Sequence, residues 1–240
     1  MSTYLLVHGA WHSGQCWERV TPSLTSAGHR ALAPSLTGFG GTAHLLGPEV
    51  GLDTHVDDIV RLITEKDLTE VVLVGHSYAG LVISSAANQV PDRIARLVYL
   101  DAMVPEDGES APDVQPATKA TIDLALNSDS GWRVPPLPEM PEPYGLFGVT
   151  DPADVAWLRT MLSDLPVRCL QQPVRLDNPA VKAIPRTHIH CTVRPESITQ
   201  RPVPAIQPNG TPAQIRELPT GHDCMITMPD ELAALLLELG

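Results

Sequence analysis

The chain has 240 residues, 43% of them hydrophobic, and a formal net charge of -12. A length of this order suits one domain, residues 1–240, with a full core. So acidic a surface repels the phosphates of nucleic acid and of anionic membranes, which leaves a small neutral or cationic molecule as the expected partner.

The first residues, MSTYLLVHGAW, carry no basic region ahead of an apolar run, and no stretch approaches the ~20 apolar residues of a membrane span, so a cytosolic location is expected. Cys16, Cys169, Cys191 and Cys224 are scattered without C-x-x-C spacing and read as buried thiols, neither a disulfide framework nor a zinc ribbon.

In chain order, the apolar runs TYLLVH (3–8), HRALAP (29–34), EVVLVG (70–75), ARLVYLD (95–101), RTHIHCTV (186–193) and QIRELP (214–219) predict strands. Between them CWERVTPSLTSAG, THVDDIVRLITEKD, AGLVISSAANQV and PDELAALLLELG space their apolar residues by three and four, as helices do. Alternating strands and helices imply an α/β fold: a mostly parallel central sheet with helices on both faces. The runs at 70–75 and 95–101 are apolar almost throughout, as central strands should be.

The regularity breaks between Pro105 and Pro185. WRVPPLPEMPEPYG carries five prolines and should hold neither helix nor ladder, while DPADVAWLRTMLSDL reads as a short helix opened by Asp151 and Pro152. The segment, about 105–185, is expected to form an insertion over one end of the sheet. A disordered linker is the alternative, although Trp132, Tyr144, Leu146, Phe147, Trp157 and Leu158 make it richer in apolar residues than linkers usually are.

The stretch VVLVGHSYAG places Ser77 where a strand hands over to a helix, with Gly75 and Ala79 small on either side. This is the pattern of a nucleophile elbow, in which a sharp turn pushes the hydroxyl outward beside the unpaired N–H groups of the helix start. A serine hydroxyl needs a base, and the base an acid that holds its tautomer. His222, in a loop with Gly221 after the last predicted strand, stands in the expected place for the base. His76 flanks the serine on the turn and is expected to point elsewhere. His188 and His190 share one strand face, without a carboxylate or cysteine to complete a metal set.

The first predicted strand ends in VHGAWHSG, so the N–H of Ala10 is one expected oxyanion donor and the N–H of Tyr78, after the serine, the other. Trp11 and His12 adjoin that donor and are candidates to face the substrate, as are Trp132, Tyr144, Leu146, Phe147, Trp157 and Leu158 in the insertion.

Taken together, LVHGAWHSGQCW, LTGFGGTAHL, GLDTHVDDIV, GHSYAG, LVYLDAMVPEDG, QQPVRL and PTGHDCMITMPDELAALL span nearly the whole chain and resemble the methylesterase and hydroxynitrile lyase group of α/β-hydrolases. The resemblance implies an α/β-hydrolase fold with a cap insertion and a serine hydrolase that cleaves small, largely apolar esters without cofactor or metal. The sequence departs from the group at three places. Ala79 replaces a glycine of the elbow, and Asp223 stands where the lyase members carry a lysine, which argues for hydrolysis.

The third departure concerns the acid. Plant members place an Asp a few residues after "CT", where this chain has Arg194, and Glu196 is the nearest carboxylate. The wider fold also accepts an acid at the end of the strand after the elbow helix, and YLDAMVP supplies Asp101 there. Asp101 is the choice, because it follows directly on an apolar strand that can shield it; Glu196 is the alternative. Lactonase or lyase chemistry, a tailoring reaction, and a receptor that binds without turnover are the rival readings of the scaffold. The oligomeric state, a homodimer included, is left open.

Overall fold

The computed structural model describes residues 1–196 and 198–240. Eight strands occur among them: β1 Thr3–Val7, β2 Arg30–Leu32, β3 Val71–His76, β4 Ile94–Leu100, β5 Arg133–Val134, β6 Leu165–Pro166, β7 Arg186–Cys191 and β8 Gln214–Leu218. Six of them form one sheet in the order β2-β1-β3-β4-β7-β8, every pair parallel. All six predicted strands are present.

Why the central strands need apolar residues at every position follows from the two layers that cover them. Leu5, Val7, Val71 and Leu73 point into one hydrophobic cluster, while Tyr4, Leu6, Val72 and Val74 point into the other, as the two-residue period of a strand requires. The helix Leu52–Glu65 buries Leu52, Val56, Ile59 and Ile63 on the first side, and the helix Pro229–Leu237 buries Leu232, Ala233 and Leu236 on the second.

The predicted helix over 16–28 is divided in two, a 3-10 turn Gly14–Trp17 and a helix Thr21–Ser26 with Pro22 in its first turn. Pro22 lacks the N–H that a continuous helix would need, so it suits a start and opposes an interior.

The chain leaves β1 for β2 on one side and returns to β3 on the other. This reversal is a topological switch point, and the crevice beyond the carboxyl ends of β1 and β3 is where a parallel sheet offers a ligand site. The helix Ala79–Gln89 follows β3 at once. Its first ten residues, Ala79 to Asn88, are buried, and a Cβ added at Gly80 would lie 1.9 Å from the Met103 carbonyl oxygen. Only glycine permits that approach.

The segment between β4 and β7 contains more regular structure than its prolines suggest. Helices Ala111–Val114 and Thr118–Leu126 precede the proline run, and β5 pairs with β6 in an antiparallel ladder of two residues. The expectation of no ladder fails because Arg133 and Val134 precede the first proline and keep their donors. The helix Pro152–Met161 forms as expected, with Asp151 Oδ1 accepting from the N–H groups of Ala153 and Asp154 at 2.9 and 3.0 Å.

No helix among the described residues is long and apolar enough to cross a membrane. The four cysteines are all buried and free.

Two fully buried histidines show their protonation by their partners. His8 Nδ1–H donates to the Gly9 carbonyl at 2.8 Å, while its Nε2 accepts from the Leu36 N–H at 3.0 Å, which requires a neutral ring. His55 Nε2–H donates to the Thr37 carbonyl and its Nδ1 accepts from the Tyr78 hydroxyl, each at 3.0 Å. Burial pushes the pKa of His8 down to about 3 and that of His55 to about 4. The unfolded chain therefore binds more protons between about pH 4 and 6.5, and stability should fall as pH falls through that window. The check is the urea midpoint measured from pH 7 to 4: a steady decline is expected, steeper than in His55→Phe, whereas a flat midpoint would mean that the rings are charged in the fold.

Candidate active site

Ser77, the first residue after β3, is held at φ 57°, in the left-handed region that non-glycine residues rarely adopt. Its backbone is gripped from both sides: its N–H donates to Leu100 at 3.2 Å, and its carbonyl accepts from Gly80 at 3.1 Å and Met103 at 3.0 Å. A Cβ at Gly75 would meet the Ala79 carbonyl oxygen at 2.8 Å, so the turn closes only with glycine there. The expected elbow is present in the backbone.

Asp101 directly follows β4 and is likewise held at a positive φ, 43°. Its N–H donates to the Ile189 carbonyl at 2.7 Å, which ties it to β7. Oδ2 accepts from His222 Nδ1 at 2.6 Å. Oδ1 accepts from the Cys191 N–H at 3.1 Å and from the Gln200 amide, with an Arg194 nitrogen 3.8 Å away. Burial alone would raise this carboxyl's pKa, yet the His222 hydrogen bond and charge, the Cys191 N–H and Arg194 together hold it below the usual range. For His222 the balance has the same form: burial lowers its pKa, but the bond to Asp101 and the charges of Asp101 and Asp223 outweigh it and raise the value.

Ser77, His222 and Asp101 face one cavity of about 320 Å³, together with Ala10, Trp11 and Tyr78. The N–H groups of Ala10 and Tyr78 donate to no backbone or side-chain acceptor among the described residues. Both residues are almost wholly buried, and both line the cavity beside Ser77. Glu196 is exposed and forms no contact with His222.

The structure separates the expected substrate-facing residues into two groups. Trp11 and Phe147 line the cavity, and Tyr144 joins them. Trp132 does not, because the Arg133 guanidinium lies over its ring at 4.4 Å. Trp157 does not, because Arg19 covers it at 4.7 Å while bonding Asp154 at 2.6 Å. Leu146 and Leu158 are buried in the core on the far face of the sheet.

His12 is also a correction: it points away from the cavity into the protein. Its Nε2–H donates to Asp223 Oδ2 at 2.8 Å and its Nδ1–H to the Ala10 carbonyl at 2.7 Å. Asp223 is fully buried, and its charge and hydrogen bond outweigh burial to raise the His12 pKa. The pair joins the loop after β1 to the loop that carries His222. His76 adds a second tie, since its Nε2–H donates to the His222 carbonyl at 3.0 Å and its ring lies 4.4 Å from that of His222.

Donor atoms of His76, His222 and Asp223 lie within 4.8 Å of one another. The bonds of His76 Nε2 to the His222 carbonyl and of His222 Nδ1 to Asp101 engage one nitrogen of each ring, while His76 Nδ1 and Asp223 Oδ1 have no partner among the described residues. From the sequence, His76 is expected only to point elsewhere, and Asp223 is read only as standing in place of the lyase lysine. The signal that could have marked them is the pairing of an acid next to His222 with a histidine next to the oxyanion stretch.

A parallel sheet with a serine at the β3 elbow, a histidine after the last strand and a carboxylate between them defines a protein of hydrolase architecture. The chain belongs to the α/β hydrolase family, whose model matches residues 4–235. It is 35% identical over 247 residues, covering 100% of each chain, to a carbendazim hydrolyzing esterase of Nocardioides sp. (strain SG-4G). Methylesterase 3 of Arabidopsis thaliana is 26% identical over 263 residues, covering 98% of this chain and 95% of its own. Among solved structures, an extracellular α/β-hydrolase of a Paenibacillus species, described as sharing structural and functional homology with tobacco salicylic acid binding protein 2, superimposes with a TM-score of 0.76. It is 25% identical and covers 100% of this chain and 99% of its own.

Removing one member of the buried His12–Asp223 pair leaves the other charge without a partner, a loss typically of about 3–5 kcal/mol. Asp223→Ala should therefore lower unfolding free energy by that order in guanidinium titrations at pH 7. Glu196→Gln, on an exposed loop, should change it by no more than about 0.5 kcal/mol.

Proposed function

We propose that this chain hydrolyses carboxylic esters of small, largely apolar molecules through an acyl-enzyme on Ser77, with His222 as base and Asp101 as its orienting acid. The observation that carries the reading is the 2.6 Å bond from His222 Nδ1 to Asp101 Oδ2 beside a cavity that Ser77 also faces. With Nδ1–H committed to Asp101, the other ring nitrogen is left as the acceptor for the serine proton. The names of the two sequence relatives, an esterase and a methylesterase, support the same chemistry.

The chain is a carboxylic ester hydrolase. Ser77 attacks the acyl carbon as His222 takes its proton, and His222 then returns that proton to the departing alcohol. Water repeats the sequence on the acyl-enzyme. The N–H groups of Ala10 and Tyr78 receive the negative charge of each tetrahedral intermediate. Tyr78 is fixed for this task by its hydroxyl, which donates to the buried His55.

Met103, Val104, Leu137, Phe147 and Leu170 give the cavity its apolar lining and thereby its preference for small apolar esters. Asp223, which occupies the place of the lysine of the lyase members, faces His12 and is absent from the cavity wall. It offers nothing to a departing cyanide. The residues assigned to the chemistry need neither cofactor nor metal to carry it out.

Hydrolysis of p-nitrophenyl acetate and butyrate, followed with the wild type and Ser77→Ala at matched folding, tests the nucleophile; the variant should lose all turnover above the uncatalysed rate. Asp101→Asn should lower kcat by about 10³–10⁴-fold while Glu196→Gln leaves it unchanged. The reverse pattern would transfer the acid's role to Glu196.

The pH profile supplies an independent readout. His222 must be neutral to accept the proton, and Asp101 raises its pKa, so the acidic limb of kcat/KM should lie above pH 6.5. In Asp101→Asn, where only the Asp223 charge is left to oppose burial, the limb should move to lower pH.

A further inference from the structure

His188 lines the same cavity, on the floor formed by β7. Only 5% of it is exposed, and its ring stacks on Tyr99 with centroids 5.2 Å apart and planes 13° from parallel. His8, His12, His55 and His76 are also buried, and each commits at least one ring nitrogen to a hydrogen bond. His188 commits neither to any group among the described residues, and its nitrogens are not sealed in the core but open to the cavity. A buried polar ring without a partner is costly unless something that enters the cavity supplies one.

The sheet register places it. His188 lies opposite Tyr99 of β4, which lies opposite Gly75 of β3. Ser77 and Asp101 each follow those partners by two residues, so His188 sits one pleat below the catalytic level and two strands across from Ser77. With the usual rise and strand spacing that is roughly 12 Å between Cα atoms, the reach of a small ester with a substituent at its far end.

We infer that His188 is a substrate-binding residue that hydrogen-bonds an uncharged polar group, a hydroxyl, amide or ring nitrogen, at the end of the substrate remote from the ester. The inference rests on the assignment of Ser77 as the reacting residue, which sets which end is remote. Burial, helped by the neighbouring His190 and Arg186 charges, pushes the His188 pKa down to about 4, so at neutral pH the ring offers one donor and one acceptor and no charge. The cations nearby do not alter this. Arg201 is held by both carboxylate oxygens of Glu109 at 2.7 Å, and Arg194 is engaged by the Cys191 carbonyl beside Asp101. A neutral polar group is the chemistry that fits a neutral imidazole in an apolar cavity.

Two matched probes separate this contact from general apolar binding: methyl 3-phenylpropanoate and methyl 3-(4-hydroxyphenyl)propanoate, titrated calorimetrically into Ser77→Ala. The hydroxylated ester should bind about three- to tenfold more tightly, the worth of one net hydrogen bond. His188→Phe in the same background keeps the stack on Tyr99 and should erase that preference while leaving the phenyl ester's affinity unchanged. His188→Gln, a neutral donor and acceptor, should restore part of it and serves if the Phe variant fails to fold.

Equal affinities for the two esters in Ser77→Ala, no binding of either, or an unchanged ratio in both His188 variants would overturn the inference. Because binding is measured without turnover, a preference that depends on His188 in a protein whose wild type hydrolyses neither ester would leave the contact standing and refute the esterase reading instead.

Discussion

The hydrogen bond between Asp101 Oδ2 and His222 Nδ1, 2.6 Å long and joining residues 121 positions apart, is the constraint around which the upper end of the sheet is organised. A carboxylate at a buried strand end is unfavourable by itself, and three further groups stabilise it: the Cys191 N–H, the Gln200 amide and the Arg194 charge. All three come from β7 or the loop beyond it. The neighbouring strand thus does for Asp101 electrostatically what β4 does sterically, and the histidine loop has one place to dock. His76 and the His12–Asp223 pair fix that loop from beneath.

Strain collects at the same place. Among the described residues six non-glycine residues have positive φ, and four of them, Trp11, Ser77, Asp101 and Phe147, line the cavity. Such conformations cost of order 1–3 kcal/mol each and persist only where the surroundings over-determine them. The surroundings here do so visibly. Ser77 is held by three backbone bonds, and Asp101 by its N–H to Ile189. Trp11 is bonded to Val134 through its indole and to Ser163 through its carbonyl. Phe147 accepts from the Asp223 N–H at 2.8 Å, while Gly148 beside it approaches Gly221 so closely that a Cβ on either would lie 2.4 Å or less from the other's Cα. The segment between β4 and β7 is therefore part of the site's mechanical support as well as its lining.

The sheet was legible because its strands carry the same signal twice. Val71–His76 is apolar on both faces, which only a central strand needs, and Gly75-x-Ser77 then marks the turn where backbone crowding excludes larger residues. Asp101 was legible for a related reason, its place at the end of an equally apolar strand. The aromatic residues of the insertion were not. Trp132 and Trp157 are as apolar as Phe147, but each is covered by an arginine, Arg133 next in sequence and Arg19 some 138 positions away, and a sequence does not state which guanidinium will lie over which ring. His12 misled for another reason: its neighbour Trp11 faces the cavity, and at a positive-φ turn adjacent side chains diverge.

The position of Arg194 joins these threads. Where the sequence resembles a family that places its acid after "CT", an arginine stands at that point and the carboxylate is supplied from β4. The two features depend on each other. An acid at the end of β7 would sit beside Asp101, and two carboxylates competing for one imidazole would raise each other's pKa and leave one protonated. An arginine there removes the competitor and supplies a cation 3.8 Å from the remaining acid. The same exchange bears on the cavity: with Asp101 drawn toward β7 and Arg194 turned to the Cys191 carbonyl, the face of β7 below them is left to His188 and His190. The acid's location and the unpartnered His188 imidazole in the cavity floor then have a common origin in the residues that follow β4 and β7.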